Sequence, residues 1–294
     1  MAIRFDDIGN RLKAFRRGSG LSADEIARRI GISRTALYRF EKGEVVKIET
    51  LEKLSELLDV SVPTLLGVGV EYVPTAVSFF ERVRQIEAAS EHIIVLAGPV
   101  SYVVASDAFD DTLAEVLVES IPEDFPDRSR ALAQVVELME ILRQRKVAYR
   151  ARVPGVLNLI SATEIDRFLR NGLVGRLDLP SDVLHNRRRL AIDEAEHLAT
   201  IMEDQPIGVQ IGIVPGALPH AGFQIFRQPD RQILVLSPFR LGEQPNIHAG
   251  VAMITSAPEA LALHERMAKD MWRRAVKGAE AAAFLRGLMA KISV

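Results

Sequence analysis

Apolar side chains recur at helical spacing along the first part of the chain. Ile8, Leu12 and Phe15 stand at i, i+4 and i+7, which predicts one amphipathic helix. Four further helices are predicted by apolar spacing or by bracketing turn residues, at Ile26, Ala27 and Ile30; Leu37 and Phe40; Leu51, Leu54, Leu57 and Leu58; and Ser61 to Gly67. Five short helices with these faces can share one modest core, so the pattern predicts an all-α five-helix bundle over residues 1–67.

A very short connection joins the second and third of these helices. Ser22 and Glu25 form a capping-box pattern that starts one helix, and Gly31 can end it in the left-handed conformation that glycine adopts cheaply. Ser33 can cap the next helix through its hydroxyl, and Gly43 is expected to end that helix. The pattern therefore predicts two short helices joined by a tight turn.

After residue 90 the pattern changes to short apolar runs that alternate with longer helical segments. The predicted strands are 93–97, 147–153, 156–160, 209–214, 223–227, 233–237 and 251–255. The predicted helices are 107–119, 127–146, 162–170, 182–203 and 258–276. This alternation predicts a C-terminal α/β or α+β domain with a mixed sheet, and a break near residues 172–180 leaves open its division into two.

Glycines and a proline cluster between Gly67 and Pro74, which is typical of a domain boundary. An amphipathic helix follows, with its apolar residues at Val77, Phe80, Val83 and Ile86. We therefore predict a helical unit at 1–67, a linker and connecting helix at 68–90, and an α/β domain at 91–294. The connecting helix can join the two domains rigidly, pack in a dimer, or do both.

The distribution of charge changes along the chain. The whole chain of 294 residues carries a formal charge of −2, whereas residues 1–42 hold ten Lys or Arg and five Asp or Glu, a local charge of +5. A basic surface on a mildly acidic body suits contact with phosphate through one face. The chain has no cysteine, which excludes disulfides and thiolate metal sites.

No segment of the sequence has the pattern of a signal peptide or a membrane span. The N-terminus lacks the apolar stretch of a signal peptide. The most apolar run, 92–105, is interrupted by Gly98 and Pro99 and is too short to cross a bilayer. We expect a cytoplasmic protein that makes no contact with a membrane.

A set of correctly spaced motifs covers residues 9–67. They are Arg11-Leu-Lys, Leu21-Ser-x-x-Glu-Ile-Ala, Gly31-Ile-Ser, Leu37-x-x-Phe-Glu-x-Gly, Glu49-Thr-Leu-x-x-Leu and Leu58-x-Val-Ser-Val. Together they resemble the Cro/CI-type (XRE family) helix-turn-helix domain of phage repressors and bacterial regulators. The resemblance implies a transcription regulator that places the second helix of the motif in the major groove of double-stranded DNA.

The resemblance also assigns roles to individual residues. The residues that it places at the DNA are Arg16, Ser33, Arg34, Thr35, Tyr38, Arg39, Lys42 and Lys47. The arginines have the geometry to bind guanine with two hydrogen bonds, and the lysines are placed to reach phosphate. Arg16 and Glu41 fall where the family often keeps an ion pair between the first helix and the recognition helix. The chain departs from the family at Ala23, where a DNA-contacting Gln is common.

The C-terminal domain shows no catalytic constellation, so we expect neither an enzyme nor a bound metal or cofactor. His264 and Glu265 resemble half of a zinc-protease helix, but Ala268 stands where the second histidine would be. The basic run 187–189, next to His185, is expected on a solvated helix face rather than at an acidic ligand. His220 and His248 lie near strand starts, where they could line the mouth of a pocket.

A second resemblance concerns the C-terminal end of the chain. The segment Met271-Trp272-Arg-Arg-Ala275, which follows a strand and Pro258, is similar to the end of phospholipase D-like effector domains in some sugar-responsive regulators. The His-x-Lys signature of the phospholipases is missing. The resemblance implies a fold that senses a molecule without hydrolysing it, although Trp272 can equally be a core residue.

These features predict a sequence-specific transcription regulator. Because one recognition helix reads only a few base pairs, we expect a homodimer on a pseudo-palindromic operator. The large C-terminal domain can supply the dimer surface and a cavity for a small-molecule effector. The alternative is an antitoxin or phage-type switch regulator whose C-terminal domain binds a protein partner.

Overall fold

The computed structural model describes residues 4–96, 98–216 and 222–292. The first five helices are α1 (Phe5–Ser19), α2 (Ala23–Ile30), α3 (Arg34–Glu41), α4 (Ile48–Leu58) and α5 (Val62–Leu66). One fully buried residue from each helix lies in the centre of this bundle, namely Leu12, Ile26, Leu37, Leu54 and Leu65. The five-helix bundle predicted from apolar spacing is confirmed.

The rest of the described chain is built on one eight-stranded mixed sheet. Its strands are β1 (Val70–Val73), β2 (His92–Leu96), β3 (Gly155–Ser161), β4 (Val209–Val214), β5 (Phe223–Arg227), β6 (Gln232–Leu236), β7 (Ala252–Thr255) and β8 (Val276–Lys277). The order across the sheet is β1-β7-β6-β5-β2-β3-β4-β8. The pairs β2–β3 and β3–β4 are parallel, and the other neighbouring pairs are antiparallel. The mixed α/β domain is confirmed. Residues 172–180 connect elements of this single sheet and do not divide it.

Helices cover both faces of the sheet. They are α6 (Ala76–Ala88), α7 (Asp107–Glu119), α8 (Arg128–Arg152), α9 (Ala162–Asn171), α10 (Ser181–Asp204), α11 (Pro258–Arg274) and α12 (Gly278–Met289), with a 3₁₀ turn at Tyr102–Val104. On one face α11 buries Leu261, Ala268 and Met271 against the strands. The other face belongs to a larger core that it shares with α6, α8 and α10.

The strand predicted at 147–153 is wrong, because α8 continues to Arg152. The buried side of α8 carries Arg145 and Lys146, whose charges are paired with Glu87 at 2.9 Å and Asp110 at 2.8 Å. Val147 points to solvent. Because charged residues face inward and an apolar one faces outward here, the helical periodicity was obscured. Neither α12 nor β8 was predicted from the sequence.

Residues 70–73 were expected in a linker, but they form an edge strand that pairs with β7, with Val70 opposite Thr255. The helix that follows, α6, packs against both α1 and α8. Its polar residues Ser78, Glu81 and Arg82 are buried together with its apolar ones. The core of the five-helix bundle is consequently continuous with that of the sheet domain. Within the chain, α6 therefore acts as a packed connection between the two domains.

The structure shows where several residues named in the sequence analysis lie. Arg187, which was expected to be solvated, is buried and bonds Glu115 at 2.9 Å and Glu119 at 2.6 Å, because the helix face that carries it lies against α7. His220 lies outside the described residues. Trp272 is partly buried against the core under α11. In the described ranges no cluster of His, Asp and Glu is arranged to hold a metal ion, and no helix has the length and apolarity to cross a membrane.

Candidate nucleic-acid interface

The turn between α2 and α3 is built by the predicted capping residues. The Ser22 hydroxyl accepts a hydrogen bond from the Glu25 backbone N–H at 3.2 Å, and the Glu25 carboxylate accepts one from the Ser22 N–H at 2.9 Å. Gly31 ends α2 with a φ of 77°, in the left-handed region. The Ser33 hydroxyl then accepts from Ala36 N–H at 3.1 Å and starts α3. The end of α2 and the start of α3 are thus set by hydrogen bonds within this short segment.

The back of α3 is held by close packing. Leu37 is fully buried in the bundle core. Gly9 of α1 brings the two helix backbones together, since a Cβ at this position would lie only 2.6 Å from the carbonyl oxygen of Phe40. Phe40, expected to point inward, is half-buried. These contacts position the exposed face of α3 relative to α1.

The ion pair between Arg16 and Glu41 that the resemblance implies is present. Arg16 donates two hydrogen bonds to the Glu41 carboxylate, at 2.5 and 3.1 Å, and Glu41 is buried. The Arg16 guanidinium also faces the ring of Tyr38, 5.8 Å from its centre. The geometry therefore makes Arg16 a brace for α3, and a contact of Arg16 with DNA stays a prediction.

The residues predicted to read DNA lie together on the exposed side of α3. Ser33, Arg34, Thr35 and Arg39 are exposed, whereas Tyr38 is half-buried. The side chains of Arg34 and Arg39 are 57% and 60% exposed. Tyr38 lies under the Arg34 guanidinium, 5.4 Å away. Tyr38 is thus placed to orient Arg34, in addition to any contact of its own with DNA.

Each exposed arginine of α3 has an acidic partner that was not predicted from the sequence. Arg34 bonds Asp24 of α2 at 3.2 Å, and Arg39 bonds Glu44 at 2.6 Å. The hydrogen bond from Arg39 lowers the pKa of the Glu44 carboxyl below its usual value. Neither partner follows helical spacing, because Asp24 lies on another helix and Glu44 is folded back by the turn after α3. Water screens the attraction within such exposed pairs, so DNA can displace the two carboxylates.

The connection between α3 and α4 carries the two predicted phosphate-binding lysines. Lys42 ends α3 and Lys47 precedes α4, and both are exposed without an ion pair to a described residue. Val45 and Ile48 are also strongly exposed along this edge. The sequence pattern predicted no role for these two apolar residues.

The local positive charge is only partly available to a ligand. Arg4 and Arg11 are bonded to Asp230 and Glu71 of the sheet domain at 2.6 and 2.8 Å, and Arg17 is bonded to Glu81 of the connecting helix α6 at 2.7 Å. These three arginines are therefore already paired with carboxylates outside the five-helix bundle. On α2, Arg28 and Arg29 are exposed and make no ion pair within the described chain. The basic surface is therefore narrower than the charge count of residues 1–42 suggests.

Comparison with known proteins agrees with this geometry. The family model described as Helix-turn-helix matches residues 12–65. Over 58 residues the chain is 47% identical to a protein of Pyrococcus horikoshii named as an HTH-type transcriptional regulatory protein. Over 62 and 61 residues it is 41% identical to the HTH-type transcriptional regulators SinR of Bacillus licheniformis and Bacillus subtilis.

These matches concern a limited part of each protein. They cover 19–20% of this chain, 18% of the Pyrococcus protein, and 56% and 55% of the two SinR proteins. The phospholipase D-like resemblance expected for the C-terminal domain finds no support in them. The matched segment coincides with the helices that carry Ser33, Arg34 and Arg39. Residues 12–65 of this chain therefore form a helix-turn-helix domain of the XRE type that occurs in transcriptional regulators.

Proposed function

We propose that this protein is a sequence-specific DNA-binding transcription regulator that acts as a dimer on a pseudo-palindromic operator. The observation that carries the proposal is the exposed face of α3, on which Arg34, Thr35 and Arg39 stand free of packing while Leu37 and Glu41 hold the helix from behind. Lys42 and Lys47 flank this face, where they would contact phosphate.

The size of the reading face is the reason for proposing a dimer. Arg34 and Arg39 are five residues apart, which is about 7.5 Å along an α-helix and corresponds to roughly two base-pair steps. A single helix of this kind contacts too few base pairs to distinguish one DNA site from the many others in a genome. Two copies related by a two-fold axis would read half-sites about one helical turn of DNA apart.

Regulation by a small-molecule effector in the C-terminal domain is the second part of the proposal. Its support is the docking of the two domains. Arg17 of α1 bonds Glu81 of α6 at 2.7 Å, and Asp7 accepts two hydrogen bonds from Arg231 at 2.5 and 3.0 Å. A ligand that favoured one geometry of the C-terminal domain would therefore move α3 with it and change the affinity for DNA.

The test is selection of bound duplexes from a random-sequence library by the full chain, followed by footprinting on the enriched sequence. We expect a pseudo-palindrome with half-site centres about 10 base pairs, or a multiple of that, apart. Sedimentation of the complex should give two chains per site. If no sequence were enriched at moderate salt, sequence-specific binding to DNA would be contradicted. Enrichment of an unrepeated site bound by one chain would contradict the dimer.

A further inference from the structure

A cleft of about 470 Å³ opens at the carboxyl end of β2. Its base is formed by strand ends, with Leu96, Phe223 and Leu236 from β2, β5 and β6. One wall comes from the start of α9, which follows the neighbouring parallel strand β3. This volume lies in the range of small-molecule sites, and the carboxyl ends of parallel strands are where α/β domains commonly bind ligands.

Most of the cleft lining is apolar, but its described residues include four with charged side chains: Glu164, Arg167, Arg240 and Glu243. The side chain of Glu243 is only 3% exposed, and both of its oxygens are occupied. One accepts from Arg167 Nε at 2.6 Å and the other from Asn171 Nδ2 at 2.7 Å. The charges of Arg167 and Glu243 therefore offset one another.

Arg240 differs from Arg167 because no described carboxylate pairs with it. Its Nε donates to the backbone oxygen of Gln244 at 3.3 Å, which orients the guanidinium. Its terminal nitrogens make no hydrogen bond to the described residues. Glu164, the other acidic residue in the described part of the lining, is not within ion-pair distance of Arg240. A cation with two free donor groups therefore stands beside a mainly apolar cleft.

We infer that this cleft binds a small amphipathic acid, with its apolar body against Phe223, Leu236 and Phe239 and its anionic group on Arg240. A guanidinium can donate two parallel hydrogen bonds to a carboxylate or a similar oxyanion. Glu164 disfavours a second negative charge in the cleft and so restricts the ligand to one anionic group.

The position of the cleft connects it to the helix-turn-helix domain. Phe239 in its wall packs against Phe79 of α6, with ring centres 5.7 Å apart. Two residues further along α6, Glu81 bonds Arg17 of α1. A ligand that displaced Phe239 would therefore act on the helix that holds the DNA-reading domain. This role as an effector site rests on the proposed function, whereas binding to the cleft does not.

The experiment uses two fluorescent probes of similar shape, 8-anilinonaphthalene-1-sulfonate and its uncharged analogue N-phenyl-1-naphthylamine, titrated into the full chain. Arg240→Gln should weaken binding of the sulfonate by about tenfold or more, because a charge-assisted hydrogen bond is lost. Binding of the uncharged probe should change less than twofold. Met253 of β7 also lines the cleft and is exposed, so Met253→Trp should partly fill the cleft and weaken binding of both probes. Glu164→Gln should strengthen binding of the sulfonate.

Arg143→Gln is the matched control, because Arg143 is an exposed arginine on α8 away from the cleft. Circular dichroism establishes that each variant is folded. Equal sulfonate binding by Arg240→Gln and Arg143→Gln would overturn the anion site. Absence of saturable binding, or binding that Met253→Trp leaves unchanged, would overturn the cleft as the site.

DNA binding by the same proteins separates this inference from the proposed function. Arg240→Gln should bind the selected DNA like wild type when no probe is present. Saturation of the cleft with the sulfonate should change the affinity of wild type for DNA, and Arg240→Gln should need about tenfold more probe for the same change. A cleft that binds the probe with no effect on DNA affinity would overturn its role as an effector site while supporting the site itself. If neither wild type nor the variants bound DNA, the result would contradict the proposed function but not the binding site in the cleft.

Discussion

The guanidinium of Arg39 is bonded to the carboxylate of Glu44, with Nε 2.7 Å and the terminal nitrogen 2.6 Å from the same oxygen. Arg39 is one of the two arginines on the exposed face of α3. In the free protein it is therefore held by an acidic side chain that lies beside the proposed path of the DNA. Binding must exchange this partner for a base or a phosphate.

Glu44→Gln should strengthen DNA binding. The substitution removes the competing carboxylate and a negative charge that would repel phosphate. Because water screens an exposed pair of this type, we expect the affinity to rise by no more than roughly fivefold. Fluorescence anisotropy on the selected duplex at fixed salt measures the change. Glu280→Gln, an exposed glutamate on α12, is the control for the altered net charge. Weaker binding by Glu44→Gln would show that Glu44 itself contributes to the interface.

Arg34→Ala and Arg39→Ala should each cost about 1 to 3 kcal/mol of specific binding if these side chains contact bases. Lys42→Ala should weaken binding to all sequences alike and reduce the dependence of affinity on salt, because a phosphate contact releases counterions. Affinity for the selected and for a scrambled duplex, measured at several salt concentrations, distinguishes the two classes. Arg143→Ala should bind both duplexes like wild type. Wild-type footprints from both arginine variants would refute the docking of α3.

Gly9→Ala should destabilise the protein and weaken DNA binding together. The added Cβ would lie 2.6 Å from the Phe40 carbonyl oxygen, so α1 and α3 must separate at a cost of about 1–3 kcal/mol. Gly287→Ala is the matched control, since the same change in α12 meets no atom within 4 Å and should stabilise by about 0.5–1 kcal/mol. Urea unfolding measures both effects. Equal stability of the two variants would contradict the backbone contact between α1 and α3.

The stability of the domain interface should depend on pH through Glu71. Burial alone would raise the pKa of Glu71, but the positive charges of Arg82 and Arg11 outweigh it and lower that pKa below 4.5. The pKa of Glu71 is lower in the folded protein than in the unfolded chain. The ion pairs of charged Glu71 with Arg11 and Arg82 therefore stabilise the fold above about pH 4.5, and this stabilisation is lost as the pH falls through the pKa of the folded protein.

Glu71→Gln should therefore cost about 3–5 kcal/mol at pH 7, since it leaves two buried arginines without their partner. Between pH 5 and pH 3 the variant should lose less additional stability than wild type. Urea unfolding at each pH measures this difference, and Glu280→Gln should follow the wild-type curve. Parallel curves for wild type and Glu71→Gln would show that Glu71 does not titrate in this range.

The helix-turn-helix is determined by local sequence. Capping at Ser22 and Ser33 and the left-handed turn at Gly31 depend on hydrogen bonds and backbone sterics within a few residues, so their pattern can be read directly. The brace between Arg16 and Glu41 followed from the family resemblance. Most strands of the sheet were also predicted, because their apolar runs are short and bounded by turn residues.

Only the tertiary structure decided which distant groups meet. It paired β1 with β7 across most of the chain, turned the charged face of α8 inward, and gave Arg34 and Arg39 their acidic partners. It also assembled the cleft beside Arg240 from separate strands and a helix. A buried charge or an edge strand is stabilised by a partner whose position depends on the whole chain path. Spacing along the sequence carries no information about such a partner, and this is why these features were missed.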